Sequence, residues 1–472
     1  MKITRSICRN FRGFRDFSMP LSANATFVIA MNGVGKTSVI EGLAAAIGGF
    51  KKSILHDASR SKPKLDRLLD ESDYRRAWLP DQRGFYTETE LTIESSAEWE
   101  GTKVSWRLTS YSPETESPRR VNPKIEWFEE TNEFADKLRP AAKDNEIILP
   151  LLMALRAKRL KRGEKKTIAP YAQRTSAPPE RLAAWANCLY FEKDWYTVRE
   201  EWLTLQDDQR FGGQRATAAN ASISSALMAA LELEDPPSWS PEEHDFVLAL
   251  RDDGPRVVGL MSDGWRAYVT MIVGLAMHCA EINPMRANAP EITPGVLLID
   301  ELEQHLHPHL QLEIVDGLRA AFPLLQIIAT THSPLILTDA VGDAGNSIIR
   351  LDRNEGGEIV ANTLGAPEGQ NVLQVLTGDW FGLSTTYDDE TLRMLAEHRE
   401  LMRGGPNKRE EARALAARLR ERLGHYANTS VEEMVLSIVA ELEQDTRFHK
   451  LSHEQIRDLR ANVLAKIKAQ LP

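Results

Sequence analysis

The sequence predicts an α/β fold with a mostly parallel central sheet, a small antiparallel subdomain, a helical insertion and a helical C-terminal region. Three observations predict it. The short apolar run 26–30 leads through a glycine-bearing loop into an apolar helix that starts at Lys36. The runs 296–299 and 325–329 have the length and composition of strands buried on both faces. Residues 86–93 and 103–108 are rich in Thr and β-branched residues or alternate polar with apolar, as strands of an antiparallel sheet do.

Taken in order, residues 3–9 and 26–30 read as strands, and 36–47 as a helix closed by Gly48-Gly49. Residues 1–121 form the first lobe of the core. Residues 122–255 are mostly helical and poorly patterned, punctuated by Pro178-Pro179 and Pro236-Pro237, and read as an insertion. Residues 256–365 return to strands and helices as the second lobe. Residues 366–472 are polar and helical, with a break at Gly404-Gly405-Pro406.

Composition narrows the function classes. The 472 residues carry 58 Lys+Arg and 68 Asp+Glu, a net charge of −10, which excludes a uniformly basic nucleic-acid coat but not a local basic strip. Cys8, Cys188 and Cys279 are isolated and odd in number, which fits a reducing compartment. The start of the chain has no apolar run of signal-peptide type. The longest apolar stretch, 268–280, is shorter than the ~20 residues a membrane span needs. A cytoplasmic protein without a membrane partner is expected.

Four short segments carry chemistry. In Ala30-Met31-Asn32-Gly33-Val34-Gly35-Lys36-Thr37-Ser38, backbone N–H groups and a helix N-terminus can surround phosphate oxygens. Lys36 can reach β- and γ-phosphates and Thr37 can ligate Mg²⁺, although Ala30 stands where the usual loop has Gly. The run 296–299 ends in Asp300-Glu301. Asp300 suits a Mg²⁺ shell and Glu301 the activation of water. Alone, that run reads equally as a core strand with a solvated acidic turn. Thr330-Thr331-His332-Ser333-Pro334 follows a third strand, and His332 there can sense a terminal phosphate; in isolation it reads as a histidine satisfied within a turn. Ser262-Asp263-Gly264 opens the helix that contains 268–280, where a plain N-cap is the alternative.

In this order the four segments resemble ABC-class ATPases of the RecF/SMC branch. The resemblance covers residues 1–55 and 255–352, and Asn10-Phe11-Arg12 matches that branch's opening strand. It implies ATP and Mg²⁺ as cofactors, and a head-to-tail homodimer or larger assembly. Ser262, Asp263 and Gly264 would then act in trans on nucleotide bound by Asn32, Gly33, Val34, Gly35, Lys36, Thr37 and Ser38 of the other copy. Glu301 would be the catalytic carboxylate, His332 the switch histidine, and Arg12 an added nucleotide contact. Trp265 departs from the signature, and no glutamine loop can be placed. The chain is also similar to stand-alone anti-phage ATPases of the Septu and retron PtuA group, which implies control of a separately encoded nuclease. A RecF-like DNA-repair ATPase and a nucleotide-gated scaffold with little hydrolysis are the alternatives.

Four further segments are ambiguous. Arg156, Lys158, Arg159, Lys161, Arg162, Lys165 and Lys166 face only Glu164 within 156–166, the best candidate for nucleic-acid backbone contact. Residues 408–422 are a weaker basic stretch. His305, His307 and His309 invite a metal reading, but only i and i+4 share a helix face and Pro308 disturbs the helix. Phe191, Trp195, Val198 and Trp202 share a helix face that reads as packing rather than base stacking.

Overall fold

The computed structural model describes residues 1–55, 69, 71–79, 84–111, 124–127, 146–156, 181, 189–191, 193–251, 254–340, 345–403 and 408–424. The chain divides into two compact units, Met1–Ser384 and Thr385–Pro472. The first therefore extends beyond the expected boundary at residue 365.

The first unit opens with β1 (Lys2–Phe11), β2 (Phe14–Pro20), β3 (Ala25–Ala30) and α1 (Lys36–Leu55). It continues through β4 (Arg76–Leu79), β5 (Gly84–Thr87), β6 (Glu90–Trp99), β7 (Thr102–Tyr111), β8 (Lys124–Trp127) and β9 (Leu151–Leu155). Next come α2 (Trp195–Arg210), α3 (Gln214–Leu231), β10 (Ser238–Ser240), β11 (Asp245–Leu250), β12 (Gly254–Val257), α4 (Asp263–Ile282) and α5 (Ala289–Ile292). It closes with β13 (Gly295–Ile299), α6 (Pro308–Ala321), β14 (Leu325–Thr330), α7 (Pro334–Ala340), β15 (Asn346–Arg353), β16 (Ile359–Leu364) and α8 (Val372–Thr377).

The central sheet has the order β16-β15-β3-β14-β13-β9 and is parallel except for the β15–β16 pair. Strands β3, β13 and β14 are mostly apolar and buried along their whole length because both faces are covered. The antiparallel sheet, β2-β1-β6-β7-β8, is larger than expected and takes in the opening strand, which pairs with β2 and β6 rather than with β3. Gln326 of β14 ties the sheets together: its Oε1 accepts from Ile3 N–H and its Nε2 donates to Ile3 O, both at 2.7 Å.

Helix α1 packs between the two sheets. It does not stop at Gly48-Gly49 but runs on to Leu55. Packing overrides the glycines, each worth only about 1 kcal/mol against a helix. Phe50 lies against Trp106 of β7 with ring centroids 5.0 Å apart, and Trp106 Nε1 donates to Ala46 O at 2.9 Å. Residues 151–155, expected inside a helical insertion, instead form edge strand β9 beside β13, and residues 124–127 pair with β7. The middle of the chain is therefore part of both sheets.

Helices α2, α3, α4 and α6 pack on one another. The stripe Trp195, Val198 and Trp202 is buried as expected for packing, with Phe191 just ahead of the helix. His278 is buried on α4 and its Nδ1 hydrogen-bonds Gly274 O at 2.8 Å. Burial pushes its pKa below the ordinary 6.5, assisted by Lys193 and opposed by Glu281, by the Gly274 bond and by Glu201. The folded chain thus keeps His278 neutral where the unfolded chain takes up a proton. Stability is complete above about pH 6.5 and declines as pH falls below it, by at most about 1.4 kcal/mol per pH unit from this group. Urea unfolding at pH 7.5 and 5.5 should show a larger loss for the wild type than for His278→Gln; equal losses would exclude this role.

In the second unit, α9 (Asp389–Arg403) and α10 (Arg409–Gly424) share a small apolar cluster of Met394, Leu415 and Leu419. Arg422, from the weaker basic stretch, clasps Asp388 at 3.1 Å and Glu390 at 2.9 Å.

Candidate functional site

The phosphate-binding loop follows β3 directly, and α1 begins at Lys36. Gly35 has φ 117°, a conformation open to glycine, and the Phe14 ring lies 3.4 Å from where a Cβ would sit. The loop therefore packs onto the β1–β2 hairpin at Gly35. Lys36 is buried and its Nζ donates to Ala30 O at 2.9 Å. Burial lowers its pKa, opposed by the charges of Glu303, Asp300 and Glu301 in that order. Met31, Asn32, Gly33 and Thr37 are exposed, as phosphate and metal contacts must be, while Val34 and Ser38 are half-buried.

Strand β14 lies between β3 and β13, so the carboxyl ends of all three strands meet. Asp300 extends the β13 ladder, its N–H donating to Leu155 O at 2.9 Å. Thr330, the last residue of β14, donates from Oγ1 to Asp300 Oδ1 at 2.7 Å and accepts from Glu301 N–H at 2.8 Å. One hydroxyl thus orients the Asp300 carboxylate and fixes the backbone of the turn that carries Glu301. Glu301 has φ 53°, a left-handed turn that costs a non-glycine residue about 1–3 kcal/mol, and such strain concentrates at functional positions. The hydroxyl of Thr37 and the carboxylate of Asp300 are hard oxygen donors of the kind Mg²⁺ prefers.

His332 is exposed and its backbone N–H donates to Glu303 Oε1 at 2.7 Å. The signature segment lies at the N-terminus of α4. Ser262 is the N-cap residue, is exposed, and makes no side-chain cap bond. Asp263 pairs with Arg266, which also donates to Gly259 O at 3.0 Å. Gly264 abuts the turn after β13: a Cβ there would lie 2.4 Å from His305 O.

Two arginines singled out in the sequence have defined partners at this site. Arg156 bonds Glu41 of α1 through Nε at 2.8 Å and Nη2 at 3.1 Å, and stacks on Tyr190 with its guanidinium 3.7 Å from the ring centroid. That bidentate, stacked arrangement ties Arg156, at the end of β9, to α1. Lys158, Arg159, Lys161, Arg162, Lys165 and Lys166 lie outside the described residues. Arg12, in the β1–β2 turn, bonds Asp73 through Nε at 2.8 Å and lies 3.9 Å from Glu41. Both arginines thus converge on Glu41, one helical turn beyond Thr37. The histidines after Glu301 have local roles: His307 caps α6 by accepting from His309 N–H at 3.4 Å, and His309 pairs with Glu313. Among the described residues, no three His, Cys, Asp or Glu side chains are grouped to hold a metal ion.

Sequence reasoning gave no role to Thr330, Glu41 or Glu303. Thr330 was legible only as part of the Thr-Thr-His-Ser-Pro segment. Glu41 has no local signature at all.

Two family models match the chain. One, described as "AAA domain", covers residues 7–207, and one described as "AAA domain, putative AbiEii toxin, Type IV TA system" covers 194–338. The Septu protein PtuA of Bacillus mycoides (strain KBAB4) is 32% identical over 166 residues, 35% of this chain and 22% of that protein. The retron Ec83 probable ATPase of Escherichia coli is 29% identical over 175 residues, 36% of this chain and 30% of that protein. The matched segments thus span less than a third of either relative. The SMC head domain of Thermotoga maritima superposes with a TM-score of 0.38 at 12% identity, over 77% of this chain and 99% of that one. No helix among the described residues is long and apolar enough to cross a membrane.

Proposed function

We propose that this chain, a relative of the Septu PtuA and retron ATPases, is an ATP hydrolase that uses nucleotide binding as a dimerisation switch. The observation that carries this reading is the meeting of the Lys36 loop, the Asp300-Glu301 pair and the His332 segment at the carboxyl ends of neighbouring strands.

The loop N–H groups from Gly33 to Thr37 and the α1 N-terminus bind the phosphates, and Lys36 leaves its carbonyl partner to neutralise them. Thr37 and Asp300 would hold Mg²⁺, which would offset the charge that builds up as the β–γ bridging oxygen leaves with ADP. Glu301, on a turn whose backbone Thr330 fixes, accepts a proton from the water that attacks the terminal phosphorus. His332 contacts the terminal phosphate. Ser262 and the α4 N-terminus of a second copy close over that phosphate, giving two equivalent sites in a twofold pair. Loss of the phosphate removes their ligand and releases the pair.

The kinship with Septu and retron proteins supports a place in anti-phage defence, with the switch controlling a separately encoded nuclease. The helices from Asp389 onward would serve docking.

The test is steady-state ATP hydrolysis by the purified chain and by Lys36→Ala. Magnesium-dependent turnover should be present in the first and at least about tenfold weaker in the second, matching the loss of a charge-assisted phosphate bond. Equal turnover by both would sink the reading.

A further inference from the structure

Glu303 stands two positions beyond Glu301, in a tight turn that the backbone closes on itself. Gln304 N–H donates to Glu301 O and Leu306 N–H to Glu303 O, both at 2.9 Å, with Glu301 and His305 at φ 53° and 68°. The Glu303 carboxylate leaves this turn and grips the segment after β14. Its Oε2 accepts from Thr331 Oγ1 and its Oε1 from His332 N–H, each at 2.7 Å. A second tie runs the same way: Ser333 Oγ donates to Gln311 Oε1 at 2.6 Å, and Gln311 Nε2 donates to Leu306 O at 2.9 Å. Leu302 N–H also donates to Thr330 O at 2.9 Å. With the Glu301 N–H bond to Thr330 Oγ1, the turn carrying Glu301 and the segment carrying His332 are thereby laced together at four points.

Of these ties only the Glu303 clamp is both charged and bidentate, and hydrogen bonds to a charged group are the stronger kind. The same turn supports the signature, because Gly264 packs against His305 O with no room for a side chain.

We infer that Glu303 is a positioning residue for ATP hydrolysis, fixing the His332 segment to the Glu301 turn so that water activation and phosphate sensing act as one rigid piece. This rests on the hydrolytic roles proposed above for Glu301 and His332. Without the clamp, His332 N–H and the Thr331 hydroxyl proton lose their acceptor, and the part of the segment that carries His332 is held to the Glu301 turn by neutral ties alone. Misplacement of that part costs rate rather than affinity, up to about 100-fold for 1 Å. A glutamine preserves the geometry, because its amide oxygen accepts from His332 N–H and its NH₂ donates to Thr331 Oγ1.

The experiment measures kcat and KM for ATP on the full chain carrying Glu303→Ala, Glu303→Gln, Thr331→Val, Glu301→Gln or His332→Ala. Folding is checked by circular dichroism. Expected for Glu303→Ala is a kcat about tenfold or more below wild type with KM within about threefold, and for Glu303→Gln recovery to within about threefold of wild type. If Glu303→Ala does not fold, Thr331→Val carries the test. It removes one arm of the clamp and should lower kcat at constant KM; an unchanged kcat overturns the inference. Normal kcat in Glu303→Ala, or a glutamine variant no better than alanine, overturns it while the two control variants remain impaired. If the controls also turn over normally, the hydrolytic reading fails and the inference falls with it.

Discussion

Glu301→Gln is expected to lower ATP turnover by about 100- to 10,000-fold, the range for losing a positioned general base. The substitution keeps the shape of the side chain and removes only its basicity. The φ of 53° at this position and the Thr330 Oγ1 bond to its N–H belong to the backbone, so the turn should persist. The groups that hold phosphate, the Lys36 amine and the loop N–H groups, lie on α1 and the preceding loop and are untouched. Nucleotide affinity should therefore stay within about threefold of wild type while the chemical step stalls, as expected for an interaction used only in the transition state. Single-turnover hydrolysis with equilibrium binding of ATP separates the two quantities. A parallel loss of binding would mean that Glu301 shapes the pocket instead.

The second large effect concerns stability. Trp202→Ala should cost about 3–5 kcal/mol, the range for deleting a large buried aromatic. Trp202 is 2% exposed, stacks on Phe246 at a centroid distance of 3.7 Å with an interplanar angle of 6°, and donates from Nε1 to Asn220 Oδ1 at 3.1 Å. Its loss would leave a cavity between α2, α3 and β11. Phe246 neighbours Asp245, whose Oδ2 would lie 2.3 Å from a Cβ on Gly259, just ahead of the signature Ser262. The damage should therefore spread to the segment that presents Ser262. Urea denaturation checks the magnitude, and Trp202→Phe, which retains an apolar ring against Phe246, should lose much less. A cost under about 1 kcal/mol for the alanine variant would show that the stack is not a core contact.

What could be read from the sequence was what is local. The loop 30–37 carries its strand end, glycines and helix entrance in eight consecutive residues, and the run 296–301 carries its apolar strand and both acids in six. The packing stripe of α2 was legible because helical periodicity survives without knowledge of its partner. What could not be read depends on distant partners. The opening strand has the apolar content of a core strand, yet pairs with β6, some ninety residues away. The apolar run 149–155 lies in a stretch of helical character, and only pairing with β13 makes it a strand. Gly48-Gly49 reads as a helix stop until Phe50 meets Trp106. Arg156 opens a basic run, and its bond to Glu41 crosses 115 positions. Glu303 looks like one more acid in a turn; its clamp on Thr331 and His332 exists only because β13 and β14 are neighbours.

The central claim, a nucleotide-driven pairing of two cores, is tested most directly by the solution mass of the Glu301→Gln chain, measured by light scattering with and without ATP and Mg²⁺. The predicted result is a shift from the 53.0 kDa of one chain to twice that value on adding nucleotide, reversed when the nucleotide is removed. A mass that stays at one chain with ATP bound, or at two chains regardless of ATP, would contradict it.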